Sequence, residues 1–417
     1  MVSSACPKPS CSTTMSFTNP LNTYQLQSDK LFLLPRRQVV TCALFALIAV
    51  AFLYLLLVDP APASSTPPPY QGDETWRSAA ASAPSECDYS DGEWVPDPRP
   101  PLYNGTSCEA MIKDGRSCMA NGRTDTGYLH WRWQPRRCDL PAFSPVVFLR
   151  WLRNKHMAFV GDSLARNQAE SLMCLLSSSS PPELVHRDAD SRFRRWVFRE
   201  YNATVSIFWS PFLVRGVEWS EHDGVRYNQM FLDAFDERWM SQLGAIDAAV
   251  LTAGHWFRIP SIYHRGGRVV GCHGCAAELN HTETSFFAVF RDTVRRTLAE
   301  ATRRLDGGER LVAMTTFSPS HFEGDWDKGA TCPKKQPYKS SEKELGYTET
   351  EMRKIVVEAV EEAAGAAPST LRFAAVDVTT LANLRPDGHP GQKDCLHWCM
   401  PGPVDTFNQI LLQIILR

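Results

Sequence analysis

The sequence predicts an α/β protein in which helices cover both faces of a mostly parallel sheet. Short apolar runs alternate with longer helical runs over the second half of the chain, a pattern typical of this class. The length of 417 residues suits one large domain or two smaller ones. The net charge of −2 gives no support for a nucleic-acid partner.

An uncharged apolar run at residues 38–58 is long enough to span a bilayer. Basic residues precede it and Asp59 follows it, so residues 1–37 are expected to be a cytosolic tail. A cleaved signal peptide is the alternative. However, the run starts late and meets Asp59-Pro60 instead of a small-residue cleavage site. We therefore expect a signal anchor and a single-pass type II membrane protein.

Residues after the apolar run carry features of a secreted region. Residues 59–85 are rich in Pro, Ala and Ser and predict an extended stem. Three N-glycosylation acceptors follow, at Asn104, Asn202 and Asn280. An even set of cysteines predicts disulfides in an oxidising compartment. These are Cys87, Cys108, Cys118, Cys138, Cys174, Cys272, Cys275, Cys332, Cys395 and Cys399.

Two segments follow the stem. Residues 86–140 contain four cysteines and many turn residues with little helical or strand period, which predicts a disulfide-stapled subdomain. Residues 141–417 carry the α/β pattern. Strands are predicted at 157–160, 205–209, 248–252, 311–316 and 373–378. Helices are predicted at 164–176, 284–304, 348–364 and 404–416.

The run Gly161-Asp162-Ser163 lies where the first of these strands gives way to a helix. Ligands bind at the carboxyl ends of strands in such sheets, and a helix N-terminus can stabilise an oxyanion. The plain alternative is that Asp162 or Ser163 only caps the helix. The position between strand and helix favours Ser163 as a nucleophile.

A serine nucleophile needs a base and a group that orients the base. Asp394 precedes His397 by three residues, so one turn can bring the carboxylate to the imidazole while the other ring nitrogen faces the serine. Asp387 and His389, in a Pro- and Gly-rich turn, are a nearby competitor. With Ser163, the pair Asp394 and His397 is the preferred choice.

These motifs resemble the SGNH/GDSL hydrolases, and the wider pattern resembles the plant trichome birefringence-like polysaccharide O-acetyltransferases. The matching runs are Cys87-Asp-Tyr-Ser-Asp-Gly-Glu-Trp94, Asp125-Thr-Gly-Tyr128 with Trp131-Arg-Trp133, Phe159-Val-Gly-Asp-Ser-Leu-Ala-Arg-Asn-Gln168 and Asp394-Cys-Leu-His-Trp-Cys-Met-Pro-Gly-Pro403. Other runs look most like the xyloglucan O-acetyltransferase branch. They are Trp209-Ser-Pro-Phe-Leu-Val214, Gly254-His-Trp-Phe257, Gly271-Cys-His-Gly-Cys275 and Phe317-Ser-Pro-Ser-His-Phe-Glu-Gly324.

The resemblance implies acetyl transfer to a hemicellulose hydroxyl through an acetyl-serine at Ser163. It implies an SGNH-like α/β/α fold, a Golgi membrane location with the catalytic domain in the lumen, and no metal or organic cofactor. The acetyl donor, acetyl-CoA or an acetylated intermediate, would be a co-substrate. The Gly-x-Asn-Asp block of simple SGNH enzymes is not evident, so the oxyanion hole stays open among four candidates. They are Gly161, Arg166, Gly254 and His255.

Cys272-His-Gly-Cys275 has the spacing of half a zinc site, but no second cysteine pair at such spacing accompanies it. A local disulfide is therefore predicted. The family resemblance further implies long-range bridges from the cysteine-rich segment to the catalytic domain, among them Cys118–Cys399. Such a bridge would fix the loop that carries His397.

Three alternatives to a xyloglucan O-acetyltransferase remain at this point. One is a xylan or mannan O-acetyltransferase, whose relatives share the core motifs. Another is a polysaccharide acetyl esterase, which would use the same triad with water as the acceptor. The third is a non-catalytic wall-glycan binding protein, which has no need of Ser163, His397 and Asp394.

Overall fold

A computed structural model describes residues 45–50, 87–104, 106–108, 111–112, 116–305, 307–324, 331–391 and 394–417. The chain divides into two units, Met1–Gln71 and Gly72–Arg417. In the first unit, residues 45–50 are helical. The predicted cytosolic tail, the stem and the rest of the predicted span lie outside the described residues. Within the described ranges, no helix has both the length and the apolar character needed to cross a membrane.

The second unit contains strands and helices in alternation. Its strands are β1 (Gly92–Pro96), β2 (Trp131–Pro135), β3 (His156–Gly161), β4 (Glu183–Arg187), β5 (Phe193–Phe198), β6 (Ala203–Trp209), β7 (Val214–Val217), β8 (Asn228–Phe235), β9 (Ala248–Thr252), β10 (Ser261–Arg265), β11 (Arg268–His273), β12 (Arg310–Thr315) and β13 (Leu371–Val376). Its helices are α1 (Pro145–Trp151), α2 (Ser163–Ser177), α3 (Glu237–Met240), α4 (Phe286–Arg304), α5 (Tyr347–Ala366), α6 (Thr379–Asn383) and α7 (Val404–Leu416).

The central sheet has the strand order β13-β12-β9-β3-β6-β5-β4. The first five strands of this order are parallel, and β5 and β4 add to the edge in antiparallel pairing. The predicted α/β class is confirmed. Every predicted strand and helix of residues 141–417 overlaps an observed one, with ends that differ by a few residues.

Alternating side chains of β3 place an apolar core on each face of the sheet. Met157 and Phe159 pack into the core that α2 and α7 cover. Ala158 and Val160 pack into the core that α4 and α5 cover. A strand buried on both faces reads as a continuous apolar run, which is why β3 could be recognised in the sequence.

A second sheet, of order β11-β10-β8-β7, was not predicted. Its hairpin β10–β11 turns through Gly266 and Gly267, whose φ values of 59° and 72° suit a two-residue hairpin turn. No strand was predicted in residues 86–140, where little strand period is visible. There β1 and β2 form an antiparallel pair in which the indoles of Trp94 and Trp133 meet edge to face.

Disulfides join the cysteine-rich segment to itself and to the catalytic domain. Cys87–Cys138 closes the segment, which agrees with a disulfide-stapled subdomain, although this pairing was not predicted. Cys108–Cys174 and Cys118–Cys399 connect the segment to the catalytic domain, so the long-range bridges implied by the resemblance are confirmed. Cys332–Cys395 joins two loops of the catalytic domain.

The predicted Cys272–Cys275 disulfide was wrong, because both residues are thiols. Cys272 is buried in β11, whereas the Cys275 Sγ atom faces the carbonyl oxygens of Ser261 and His273 at 3.8 and 3.9 Å. Burial, followed by a hydrogen bond with Cys272, raises the pKa of the Cys275 thiol to about 12.

Candidate active site

Ser163 is the first residue of α2 and lies at the carboxyl end of β3. The Asp162 side chain caps the helix by accepting the Leu164 N–H at 2.9 Å. Gly161 has a φ of 148°, and a side chain there would overlap the Thr252 carbonyl group. Because that carbonyl also accepts the Asp162 N–H, the turn is fixed on both sides and only glycine fits it. Asp162 therefore caps the helix, and Ser163 still lies at the helix start beside the sheet edge.

The structure brings Ser163, His397 and Asp394 together. The His397 Nε2 atom lies 2.7 Å from the Ser163 Oγ atom, across 234 residues of sequence. On the opposite side of the ring, His397 Nδ1 lies 2.8 and 3.1 Å from the two Asp394 carboxylate oxygens. The backbone N–H of His397 also donates to Asp394 at 2.9 Å. This is the geometry in which a carboxylate holds an imidazole tautomer and the imidazole faces a serine hydroxyl.

The two carboxylates of the site have opposite pKa shifts. Burial tends to raise the pKa of Asp394, but its hydrogen bonds and charge interaction with His397 hold that pKa well below its usual range. Asp162 is buried, and burial raises its pKa to about 7. Asp394 is thus an anion under neutral conditions, as a group that orients and stabilises an imidazolium must be.

Asn167, one helical turn beyond Ser163, binds the backbone of the residue that follows His397. Its Oδ1 atom accepts the Trp398 N–H at 2.7 Å, and its Nδ2 atom donates to the Trp398 carbonyl at 3.2 Å. The sequence analysis missed this role. An asparagine at a buried helix position is a weak signal, because the partner lies 231 residues away.

The competing pair Asp387 and His389 does not face the serine. Asp387 is buried in an ion pair with Arg385 at 2.8 Å. His389 is buried, and its Nδ1 atom lies 2.7 Å from the His397 carbonyl oxygen. His389 therefore lies behind His397, and His397 is the imidazole in contact with Ser163.

The oxyanion-hole candidates surround the same edge of the sheet. Gly254 opens a short turn after β9, and His255 Nε2 lies 2.8 Å from the Ser318 carbonyl oxygen. Burial lowers the pKa of His255 to about 3, so its ring is neutral. Arg166 is buried with its guanidinium 5.0 Å from the centre of the Trp209 ring, and burial lowers its pKa to about 10. Its Nε atom makes no hydrogen bond within the described residues. The oxyanion hole stays a prediction.

The three glycosylation acceptors Asn104, Asn202 and Asn280 are exposed. The Asn104 Oδ1 atom accepts the Thr106 hydroxyl at 2.8 Å within its own acceptor triplet. Exposure is what attachment of a glycan to these side chains requires.

Two family descriptions match nearly all of the second unit. The PC-Esterase family, described as the GDSL/SGNH-like acyl-esterase family found in Pmr5 and Cas1p, matches residues 140–414. The PMR5 N-terminal domain matches residues 85–139. The chain belongs to the PC-Esterase family. The Ser163–His397–Asp394 arrangement lies within the PC-Esterase match, and the bridged segment of β1 and β2 lies within the other.

Plant members of the PC-Esterase family are similar over most of the chain. Xyloglucan O-acetyltransferase 2 of Populus trichocarpa is 51% identical over 354 residues, which cover 79% of this chain and 82% of that protein. Xyloglucan O-acetyltransferase 1 of Arabidopsis thaliana is 46% identical, with 79% and 80% covered. Protein trichome birefringence-like 25 of Arabidopsis thaliana is 36% identical, with 90% and 91% covered. The resemblance inferred from the motifs is confirmed.

Proposed function

We propose that this protein transfers acetyl groups to hydroxyls of xyloglucan through an acetyl-Ser163 intermediate. The observation that carries the proposal is the 2.7 Å contact of His397 Nε2 with Ser163 Oγ, backed by Asp394 at 2.8 Å. The relatives named as xyloglucan O-acetyltransferases support the acyl group and the acceptor.

In the first half-reaction, His397 Nε2 takes the hydroxyl proton of Ser163 as Oγ attacks the carbonyl carbon of the acetyl donor. A tetrahedral intermediate forms. Its collapse breaks the bond to the donor's leaving group, which departs with the proton from His397. Asp394 stabilises the imidazolium while it exists, because it is an anion hydrogen-bonded to Nδ1.

In the second half-reaction, a sugar hydroxyl attacks the acetyl carbonyl on Ser163. His397 takes the sugar's proton, a second tetrahedral intermediate forms, and the Ser163–acetyl bond breaks. The Ser163 oxygen then recovers its proton from His397. The products are an acetylated sugar and the free enzyme, so every atom is balanced and no oxidant or metal takes part. Water in place of the sugar would make the protein an esterase.

The location proposed is the Golgi lumen, with residues 38–58 as a single-pass type II anchor. The uncharged run and the basic residues before it support this topology. The disulfides and the exposed glycosylation acceptors agree with an oxidising lumen.

The decisive experiment uses the full chain, purified in detergent, with an acetyl donor and separate xyloglucan, xylan and mannan oligosaccharides. Mass spectrometry would follow the gain of one acetyl group on each acceptor. Ser163→Ala is compared with Ser177→Ala, which removes a hydroxyl from the far end of the same helix. We expect transfer to xyloglucan by the parent and by Ser177→Ala, and none by Ser163→Ala.

Different results would correct different parts of the proposal. Transfer to xylan or mannan in preference to xyloglucan would change the acceptor and leave the mechanism. Deacetylation of acetylated oligosaccharides without transfer would make the protein an esterase. Transfer by Ser163→Ala at the parent rate would show that Ser163 is not the nucleophile.

A further inference from the structure

Arg123 donates hydrogen bonds to the loop that carries His397. This loop, residues 386–391 and 394–400, is called the histidine loop. Arg123 lies in the cysteine-rich segment, between Cys118 and β2. Its Nη1 atom donates to the His389 carbonyl at 2.7 Å, and its Nη2 atom donates to the Asp387 carbonyl at 2.8 Å. One planar guanidinium therefore binds two carbonyl groups of the loop. Lysine, with a single ammonium group on a flexible stem, cannot reproduce this two-pronged contact.

The guanidinium of Arg123 is itself held in place. Asp125 forms an ion pair with Nη2 at 2.8 Å, and the Tyr128 ring lies 4.0 Å from the guanidinium carbon. The Arg123 side chain is 10% exposed. Hydrogen bonds made by a charged and poorly hydrated donor are stronger than neutral ones, so this grip on the loop is rigid.

His389 connects the loop carbonyl groups bound by Arg123 to the backbone of His397. A carbonyl oxygen only accepts, so His389 Nδ1, 2.7 Å from the His397 carbonyl, carries a proton and donates it. Its Nε2 atom lies 2.7 Å from His321 Nδ1. The ring also stacks on Trp398 at 4.2 Å. The backbone of His397 is thus fixed by a side chain whose own backbone is bound to Arg123.

We infer that Arg123 is a positioning residue for the catalytic histidine, acting through His389. The cysteine-rich segment is then part of the catalytic apparatus, because Arg123 fixes the loop that carries His397. The inference rests on the proposed function, since it assumes that His397 activates Ser163. A misplacement of about 1 Å in a reacting group lowers a rate by about 100-fold, so loss of the grip has a measurable effect.

The experiment must separate positioning from a merely structural role. A fluorophosphonate probe labels an activated serine without any acceptor, so its rate of reaction with Ser163 reports the triad alone. The full chain is compared with Arg123→Gln, Arg123→Lys and His389→Phe, the last of which retains a ring against Trp398. The control is Arg136→Gln, which breaks the exposed contact with Asp91 in the same segment.

We expect Arg123→Gln to slow labelling and kcat by about 10- to 100-fold, with KM within about twofold of the parent. Arg123→Lys should lie between this variant and the parent, and Arg136→Gln should match the parent. His389→Phe should slow labelling to a similar degree. The labelling rate of the double variant Arg123→Gln/His389→Phe should lie within about threefold of that of the slower single variant. The two effects should not multiply, because both residues act in one chain of contacts.

Labelling of folded Arg123→Gln at the parent rate would overturn the inference. A lower melting temperature with an unchanged labelling rate would also overturn it, since that result is expected of a structural role. If Arg123→Gln does not fold, the labelling rate of Arg123→Lys is the test. A rate equal to that of the parent would overturn the inference, and a slower rate would support it. A parent enzyme that is neither labelled at Ser163 nor active in transfer would overturn the proposed function, and the inference with it.

Discussion

Two histidine–carboxylate pairs lie beside cysteines in this fold, and their surroundings differ. His397 Nδ1 lies 2.8 Å from Asp394, and His273 Nδ1 lies 3.0 Å from Glu283. Residue type and distance hardly distinguish the pairs. The first pair lies next to two disulfide-bonded cysteines, Cys395 and Cys399, whereas the second lies between two thiols.

What separates the pairs is the position of the second imidazole nitrogen. His397 Nε2 meets the Ser163 hydroxyl at the carboxyl edge of the central sheet. His273 lies at the end of an edge strand of the small sheet, where its ring meets that of Phe286 at 5.0 Å. Glu283 is also 62% exposed, against 36% for Asp394. The two pairs therefore differ in that His397 has a serine hydroxyl within hydrogen-bonding distance and Asp394 is less exposed to water than Glu283.

The largest predicted difference is in turnover. His397→Ala should lower kcat for acetyl transfer by about 10⁴- to 10⁶-fold, because it removes the only imidazole in contact with Ser163 among the described residues. His273→Ala should stay within about twofold of the parent. Initial rates with xyloglucan oligosaccharides measure both. An equal loss in the two variants would break the comparison.

The carboxylates should differ nearly as much. Asp394→Asn keeps the shape but no longer favours the tautomer with a proton on Nδ1, so kcat should fall by about 10⁴-fold. Glu283→Gln, the matching change at the other pair, should leave kcat within about twofold. Measurement of both rates at one substrate concentration above KM is sufficient. A mild effect of Asp394→Asn would show that His397 is oriented by other contacts.

Replacing disulfide-bonded cysteines should lower stability more than replacing a free cysteine. Replacing both Cys332 and Cys395 with serine should lower the free energy of unfolding by about 2–4 kcal/mol, because it removes a cross-link between distant loops. Cys275→Ser should change that free energy by only about 0.5 kcal/mol, since Cys275 forms no disulfide. Urea denaturation of the oxidised proteins gives both values. Peptide mapping after alkylation should find Cys272 and Cys275 modified without prior reduction.

The last predicted effect is a slope of stability against pH. The pKa of Asp162 is raised to about 7, so the folded chain holds a proton that the unfolded chain releases above about pH 4. Stability therefore falls as pH rises through this window, by at most about 1.4 kcal/mol per pH unit. Asp162→Asn keeps the oxygen that caps Leu164 and should flatten the slope.

Asp394 should have the opposite sign. Its pKa is lowered in the folded chain, so its contribution to stability is present above the usual aspartate pKa and is lost as pH falls. Asp394→Asn should therefore remove part of the acid-side loss of stability. Denaturation curves between pH 3 and pH 8 compare the two variants. Parallel curves for both variants and the parent would contradict the assigned pKa shifts.

Much of the fold and the triad could be predicted because their signals are local. β3 is apolar throughout and α2 starts at a capping aspartate, so the junction at Ser163 was visible in the sequence. Asp394 and His397 were joined by a spacing of three residues. Their meeting with Ser163, across 234 residues, was inferred from the base and the orienting group that a serine nucleophile needs.

The parts that were missed depend on contacts between distant segments. β8 and β10 pair in parallel although they are separated by β9, and their polar residues weaken the apolar pattern. The hairpin β10–β11 did have a local signal, the Gly266-Gly267 turn, which was overlooked. For Cys272 and Cys275, close spacing suggested a bridge, but spacing does not determine how two sulfur atoms are oriented.

The long span of the Cys118–Cys399 bridge has a consequence for biosynthesis. The bridge closes a loop with a sequence separation of 281, and Ser163 lies inside that loop. A ribosome makes Ser163 well before it makes His397, so the nascent chain carries a serine with no imidazole to activate it. The nascent protein therefore cannot form an acyl adduct before its histidine loop has been synthesised and folded into place. The order of synthesis alone therefore leaves Ser163 without its proposed base until His397 has been made.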